Sequence, residues 1–139
     1  MNIYIYIYNI TLDKEGCEDR EKEFSAMQYV SDKLQELSQS DPVVAEGSKY
    51  LVKFRCAVND GRRLHIITEY IEGFDLFEHF IHHKMGPNTV DSSKVEERYR
   101  HWMAVWEKIA YGVAALHKCG VAHMDISIEN IMNGPTPLF

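Results

Sequence analysis

The sequence predicts an α+β fold, in which strands and helices follow one another without the alternation of a βαβ repeat. Three features indicate it. Residues 2–10 alternate isoleucine with tyrosine, apart from the asparagines, which is the period of a strand. Two strand-like runs, residues 50–58 and 63–71, flank an Asn-Asp-Gly turn, a strong hairpin signal. Residues 24–37 and 99–116 carry apolar side chains at helical spacing.

The opening strand has three isoleucines on one face and three tyrosines on the other. No sheet partner precedes it, and an exposed, uncharged strand is prone to aggregate. We therefore expect a preceding segment to be missing. The helix that follows is predicted from an apolar side, and we expect a loop with a proline stop at Pro42 to end it. That apolar side consists of Phe24, Met27, Val30, Leu34 and Leu37.

Two helices are predicted after the hairpin. A short one is indicated by clustered apolar residues at 76–81, and a long one by a stripe that we expect to be buried. Gly120 lies where a glycine should end the long helix. The stripe consists of Tyr99, Trp102, Trp106, Ile109, Val113 and Leu116.

Composition excludes several classes of protein. The 139 residues fit one domain and carry a net charge of −6, which argues against nucleic acid as a partner. No apolar run is long enough for a membrane span, and no signal peptide is evident. The three cysteines show neither zinc nor disulfide spacing, so we expect reduced thiols in a cytoplasmic protein. His79, His82 and His83 are interpreted as a solvated helix end.

The loop at residues 121–132 carries the chemistry. His123, Asp125 and Asn130 are spaced so that a carboxylate and an amide follow a histidine within one short loop. Phosphoryl transfer needs a carboxylate that orients and deprotonates an attacking hydroxyl, which Asp125 can supply. It also needs a metal ion, and the side-chain oxygen of Asn130 is a suitable ligand for Mg²⁺. Turn formation is the alternative reading of these three residues taken alone.

Residues 116–132 resemble the catalytic loop of eukaryotic-type protein kinases, and the preceding helix resembles the helix that leads into that loop. The resemblance implies a protein-kinase-like two-lobed fold, truncated to an incomplete small lobe, the hinge and the start of the helical large lobe. Residues 1–139 would then form one partial kinase domain. Residues 1–71 would be a small-lobe remnant with the hinge strand, and residues 72–139 the start of the large lobe.

Residues 66–77 are similar to the hinge between the lobes in this family. The resemblance makes Thr68 the gatekeeper, lets the backbone of Glu69 and Ile71 bind adenine, and directs Asp75 to the ribose. Glu23 matches the helix glutamate that pairs with the nucleotide-binding lysine. Glutamates also favour a helix N-terminus for electrostatic reasons, so that alternative stays open for Glu23.

The sequence departs from the family at several points. No glycine-rich loop precedes the opening strand, tyrosines stand where the strand lysine is expected, and no Asp-Phe-Gly follows the catalytic loop. Met124 replaces the usual arginine, and Ser127 replaces the usual lysine, leaving at most a hydroxyl hydrogen bond at that position. Glu129 matches a position that can contact substrate or nucleotide. Because turnover requires the lysine–glutamate pair and the metal-binding aspartate, we expect this chain alone to be inactive.

The resemblance implies an ATP-dependent serine/threonine protein kinase that uses Mg²⁺ and acts, when intact, on a protein substrate. His123 would fix the loop by hydrogen bonding. No nucleic acid or membrane partner is expected. Two alternatives remain open. One is a small-molecule kinase of the aminoglycoside or choline type, which shares the loop spacing. The other is a pseudokinase or interaction module that binds a regulatory protein without transferring phosphate.

Overall fold

The computed structural model describes the backbone of residues 2–5, 18–59, 64–82 and 94–134, and the side chains of 25–58, 65–81 and 94–134. Within these ranges the chain forms short sheets and helices, which confirms the α+β class. The elements, in order, are β1 (Asn2–Ile5), α1 (Glu18–Leu37), α2 (Pro42–Gly47), a 3₁₀ turn (Ser48–Tyr50), β2 (Phe54–Asn59), β3 (Leu64–Thr68), β4 (Phe74–Asp75), α3 (Leu76–His82), α4 (Val95–Lys118), a second 3₁₀ turn (Ile128–Asn130) and β5 (Ile131–Gly134).

Helix α1 confirms the helix predicted from residues 24–37. Met27 and Val30 are buried, and Leu34 packs against the core. The helix ends in a turn at residues 38–40.

Helix α2 was not predicted, and Pro42 starts a helix here instead of ending a loop. The side chain of Asp41 accepts hydrogen bonds from the backbone N–H groups of Val43 and Val44, at 2.9 and 3.4 Å, which is the bonding of an N-cap. Pro42 follows at the first helical position, where the lack of an N–H costs nothing. The proline thus marks a helix start because a capping residue precedes it.

Asp41 also joins α2 to the end of α4, since Lys118 Nζ lies 2.9 Å from its Oδ2. This hydrogen bond from Lys118 holds the pKa of Asp41 below its usual value. Stability contributed by a carboxylate of lowered pKa is present above about pH 4 and is lost as the pH falls through the folded-state pKa.

We expect Asp41→Ala to lower the unfolding midpoint by several degrees, because both the cap and the ion pair are lost. Asp41→Asn keeps the cap and should lose less. The difference between wild type and Asp41→Asn should shrink as the pH falls from 7 to below 4. Thermal unfolding followed by circular dichroism measures it. A difference that stays constant over this range would contradict a contribution from the Lys118 pair.

Strands β2 and β3 form the predicted hairpin. They pair antiparallel from Phe54 opposite Thr68 to Asn59 opposite Leu64, with a register shift between Phe54 and Cys56. The Asn-Asp-Gly turn that predicted the hairpin lies partly outside the described residues.

Strand β1 lies in a second sheet, of order β1-β5-β4. Asn2 is opposite Gly134 and Ile5 is opposite Ile131, so β1 pairs antiparallel with the strand that follows the predicted catalytic loop. The partner of β1 thus comes from the far end of the chain, and the expectation of a missing preceding segment stays a prediction. Residues 6–10 of the predicted strand lie outside the described residues. The division at residue 71 into two lobes stays a prediction.

Helix α4 confirms the long helix, but its buried side differs in part from the predicted one. Ile109 and Leu116 are buried, and Trp102 and Val113 pack against the core. Tyr99 and Trp106, however, are 64% and 55% exposed, so their predicted burial is wrong. Their places in the interior are taken by Val105, Gly112 and Ala115.

The core lies where α1, α3, α4 and β5 meet. Burying these apolar side chains supplies the main driving force for folding. The central cluster consists of Val30, Leu51, Leu76, Val105, Ile109, Ala115, Leu116 and Ile131. Among the helices of the described part, none combines the length and the apolarity needed to cross a membrane.

Candidate active site

The predicted catalytic loop is fixed at both ends. Leu116 before it and Ile131 near its end are almost completely buried in the same core cluster. Helix α4 ends as predicted, with Gly120 at a φ of 77°. The N–H of Gly120 donates to the carbonyl of His117 at 2.9 Å, and the N–H of Val121 donates to the carbonyl of Leu116 at 3.0 Å. These two bonds form a Schellman motif, which sets the direction in which the loop leaves the helix.

His123 anchors the middle of the loop. Its side chain is 3% exposed, and its Nδ1 accepts a hydrogen bond from the backbone N–H of Asp125 at 3.3 Å. Met124 between them has a φ of 62°, which is uncommon for a residue other than glycine, and its side chain is exposed. This sharp turn lets a buried imidazole be followed, two residues later, by the exposed carboxylate of Asp125.

Asp125 and Asn130 are in direct contact. The side-chain Nδ2 of Asn130 donates to Oδ2 of Asp125 and to its backbone carbonyl, both at 3.0 Å. The 3₁₀ turn Ile128–Asn130 makes this possible, since the N–H of Asn130 also donates to the carbonyl of Ser127 at 3.1 Å. With its amide nitrogen held by Asp125, Asn130 is left with Oδ1 as the atom available to a ligand.

Ser127 and Glu129 complete the loop. Ser127 is half-buried and supports the turn through its carbonyl, whereas Glu129 is exposed.

In the part of the chain that the structure describes, no three His, Cys, Asp or Glu residues cluster closely enough to hold a metal ion. The side-chain oxygen of Asn130 suits Mg²⁺, which in phosphate-handling sites is held by one or two protein oxygens together with phosphates and water. The loop therefore fits part of a Mg²⁺–ATP site.

The predicted hinge begins where β3 ends. Thr68 is half-buried and lies opposite Phe54 in the hairpin. The backbone N–H of Glu69 donates to the carbonyl of Lys53, and Oε1 of Glu69 accepts from the N–H of Lys53, both at 2.9 Å. Since this N–H is engaged, the backbone carbonyl is the group of Glu69 that remains for the predicted contact with adenine. The side chain of Ile71 is buried, so its backbone is held at this position.

Asp75 joins the hinge to the catalytic loop. In the β4–β5 ladder it lies opposite Met132, two residues after Asn130. Its Oδ1 accepts a hydrogen bond from the N–H of Glu78 at 2.7 Å, as a cap of α3 does. The cap occupies one carboxylate oxygen, and contact of the other oxygen with a ribose hydroxyl stays a prediction. The sheet thus brings together two segments that the sequence places more than fifty residues apart.

Glu23 lies on α1, but its side chain is outside the described residues, so its predicted pairing with a lysine stays a prediction. Of the three tyrosines considered for the lysine position, Tyr4 lies in β1 opposite Met132. Tyr6 and Tyr8 are outside the described residues.

His79 is a buried residue with contacts that the sequence did not reveal. It is 8% exposed, so its assignment to a solvated helix end is wrong; the side chain of His82 and all of His83 lie outside the described part. Its Nδ1 lies 3.2 Å from Nδ2 of Asn133, and its ring meets Trp102 edge to face. This contact ties α3 to β5 directly after the catalytic loop. Asn133 is the polar side chain in the otherwise apolar strand β5. A polar residue in such a strand is the local feature from which a hydrogen bond to another element could have been predicted.

Two of the three cysteines lie in the described part of the chain. Cys56 and Cys119 are free, and Cys17 lies outside the described residues. Burial raises the pKa of Cys119, so its thiol is protonated and unreactive at neutral pH.

Comparisons with known proteins show the family of the chain. The family model described as the protein kinase domain matches residues 15–136. The chain is 29% identical over 94 residues to "Probable serine/threonine-protein kinase 2" of Plasmodium falciparum (isolate K1 / Thailand), covering 65% of this chain and 16% of that protein. It is 27% identical over 92 residues to Rho-associated protein kinase let-502 of Caenorhabditis briggsae, covering 66% of this chain and 7% of that protein.

The matched segment is thus a small part of both curated relatives. No solved structure matches significantly. The family match covers most of the chain and includes the loop that joins Asp125 to Asn130 and the hinge that leads to Asp75. The chain belongs to the eukaryotic-type protein kinase domain family.

Proposed function

We propose that the chain carries the catalytic loop and the hinge of an ATP-dependent serine/threonine protein kinase, within a two-lobed domain that residues 1–139 represent in part. The contact between Asp125 and Asn130 carries the proposal. It places a carboxylate next to an amide on an exposed loop that is anchored in the core. This arrangement suits a site that must position a hydroxyl and a metal-bound phosphate side by side.

Each loop residue has a distinct role in this proposal. Asp125 accepts the hydrogen of a serine or threonine hydroxyl through Oδ1, while Oδ2 is held by Asn130. Asn130 offers its Oδ1 to Mg²⁺, and His123 fixes the backbone of Asp125. Bound Mg²⁺–ATP supplies the phosphoryl group and the charge that stabilises its transfer. The backbone of Glu69 and Ile71 contacts adenine, and Asp75 contacts the ribose.

Ser127, Glu129 and Glu23 have supporting roles. Ser127 donates at most a neutral hydrogen bond toward the phosphate, where the family has a lysine. Glu129 is exposed beside the loop and contacts substrate or nucleotide. Glu23 has the position of the glutamate that pairs with the nucleotide-binding lysine. The opening strand carries tyrosines where that lysine is expected, and a tyrosine cannot supply its positive charge. Because the charged partners of the phosphates are incomplete in this sequence, the chain alone binds nucleotide weakly and transfers no phosphate.

Nucleotide binding by the full 139-residue chain tests these roles. We expect a fluorescent ATP analogue to bind more tightly with Mg²⁺ than without it. Its dissociation constant should lie above the KM values of roughly 1 µM–1 mM that are usual for enzyme substrates. Asn130→Ala should abolish the Mg²⁺ dependence, because it removes the metal-facing oxygen. Asp125→Asn should leave binding unchanged, since its proposed role is toward the hydroxyl. Unaltered Mg²⁺ dependence in Asn130→Ala would contradict the role of Asn130.

The same preparation should show no transfer of radiolabelled γ-phosphate to a generic protein substrate. Transfer that Asp125→Asn eliminates would overturn the expected inactivity and support the kinase assignment. Wild-type chain that binds no nucleotide would favour a second candidate, a pseudokinase that engages a regulatory protein. The substitutions at Met124 and Ser127 favour that candidate. Neither curated relative is named as a small-molecule kinase, so the comparisons give that alternative no support.

A further inference from the structure

Helix α3 is held against β5 by a buried polar contact to which the proposed function assigns no role. Nδ1 of His79 lies 3.2 Å from Nδ2 of Asn133. An amide nitrogen donates its hydrogens, so the imidazole nitrogen accepts the hydrogen bond. His79 is 8% exposed and Asn133 is half-buried, so the bond is largely shielded from water. We call this bond between His79 and Asn133 the α3–β5 clamp.

The imidazole ring of the clamp is fixed on another side by α4. His79 meets Trp102 edge to face, with the ring centroids 6.5 Å apart. Phe80, the next residue of α3, stacks on the same indole with its centroid 4.5 Å away. Aromatic contacts of this kind prefer defined ring orientations. Trp102 therefore restricts the plane of the imidazole and keeps Nδ1 directed at β5.

The clamp adds to a very short strand ladder. β4 pairs with β5 over two positions, the second of which is Asp75 opposite Met132. This ladder holds the start of α3, and the buried side chain of Leu76 lies at the same start. An element held at one end can still turn about that end. His79 lies one helical turn further along, so the clamp gives α3 a second, directional point of attachment.

The direction of α3 matters for the carboxylate of Asp75. Its Oδ1 accepts a hydrogen bond from the backbone N–H of Glu78 at 2.7 Å, so the carboxylate follows any rotation of the helix. Asp75 and His79 are four residues apart and lie on the same side of α3. A shift of α3 relative to β5 would therefore turn the second oxygen of Asp75, which the proposed function assigns to the ribose.

We propose that His79 and Asn133 are positioning residues, and that their clamp holds the carboxylate of Asp75 in one orientation toward the ribose hydroxyls of a bound nucleotide. The inference rests on the proposed function. Asn130 lies outside this chain of contacts, since it bonds directly to Asp125 within the catalytic loop. The clamp should therefore affect recognition of the ribose and leave the Mg²⁺ dependence of binding unchanged.

A paired substitution separates positioning from stability. His79→Leu alone removes this partner from the half-buried amide of Asn133 and should destabilise the chain. Combining it with Asn133→Leu replaces the polar pair by an apolar one, which can be nearly neutral for stability. We expect the double variant to have the urea midpoint of wild type but faster hydrogen exchange at the amide of Glu78, because the cap of α3 loosens. Ile81→Ala, at a 59% exposed position of α3, is the matched control and should change neither.

Nucleotide titrations followed by NMR chemical shifts measure the effect on the ribose. We expect wild type to bind Mg²⁺–ATP about tenfold more tightly than its dideoxy analogue, which lacks both ribose hydroxyls, because the lost hydrogen bond is to a charged group. The double variant should reduce this ratio to about twofold or less, as Asp75→Ala should. His79→Asn keeps an acceptor near the position of Nδ1 and should retain most of the ratio.

The outcomes separate the clamp from the proposed function. An unchanged ratio in the double variant would overturn the inference, and so would wild-type exchange at the amide of Glu78. Loss of the Mg²⁺ dependence together with the ratio would also overturn it, since the variant would then have damaged the whole site. A wild-type chain that binds no nucleotide would overturn the proposed function and the ribose role with it. Exchange at Glu78 needs no nucleotide, so it would still decide whether the clamp holds α3.

Discussion

Replacing Gly47 by alanine is expected to destabilise the protein by about 1–3 kcal/mol or more, although alanine is the better helix former. Gly47 is the last residue of α2 and has ordinary helical dihedral angles, so backbone preference alone would favour alanine by about 1 kcal/mol. A Cβ atom at this position would, however, lie 2.1 Å from the backbone oxygen of Tyr111 and 2.7 Å from Cβ of Ala115. The backbone of α4 cannot shift to make room for this Cβ, so α2 must move away from α4.

The measurement is urea unfolding of wild type and Gly47→Ala, followed by circular dichroism. Gly120→Ala is a matched control, because Gly120 has a φ of 77° but open space around the position of its missing Cβ. That control should cost only the strain of a left-handed residue, about 1–2 kcal/mol. A Gly47→Ala chain as stable as wild type, or more stable, would show that α2 and α4 do not pack as closely as described.

The close approach at Gly47 also explains why the buried side of α4 was predicted only in part. Helical spacing locates an apolar side, and it correctly assigned Ile109 and Leu116 to the interior. It favours large residues, and so it counted Tyr99 and Trp106 as buried. At Gly47 of α2, the contact with α4 is instead made by the backbone of Tyr111 and the small side chain of Ala115, and the value of a small residue for packing appears only when the neighbouring helix is known.

The catalytic loop could be predicted because its contacts are local. His123, Asp125 and Asn130 interact within seven residues of one another, so spacing along the chain carries most of their geometry. The bond between His79 and Asn133 spans 54 residues, and the pairing of β1 with β5 joins the two ends of the chain. No local pattern encodes such contacts, which depend on how the elements pack. The start of α2 at Pro42 lies between these cases, because its cap at Asp41 is a local contact but an aspartate followed by proline is equally typical of a loop.

Gly73→Ala is expected to have the largest effect of any single substitution considered for this chain, a loss of more than about 3 kcal/mol together with loss of nucleotide binding. Gly73 has a φ of 143°, which side chains rarely adopt, and its missing Cβ would lie 2.1 Å from the backbone oxygen of Asn133. Strain and steric clash therefore act together. The chain can relieve them only by separating β4 from β5, which pair from Phe74 opposite Asn133 to Asp75 opposite Met132.

Separation of these strands would reach the proposed site from both sides. Asp75 would lose its place beside β5, and β5 begins at the residue after Asn130, so the contact with Asp125 would loosen. Hydrogen exchange should show this as faster exchange of the amides at residues 131–134, with little change in the β2–β3 hairpin. Glu72→Ala, at the exposed neighbouring position, should leave exchange and stability within about 0.5 kcal/mol of wild type. Normal protection of residues 131–134 in Gly73→Ala would mean that the hinge does not hold β5, and that the loop keeps its geometry through Leu116 and Ile131 alone.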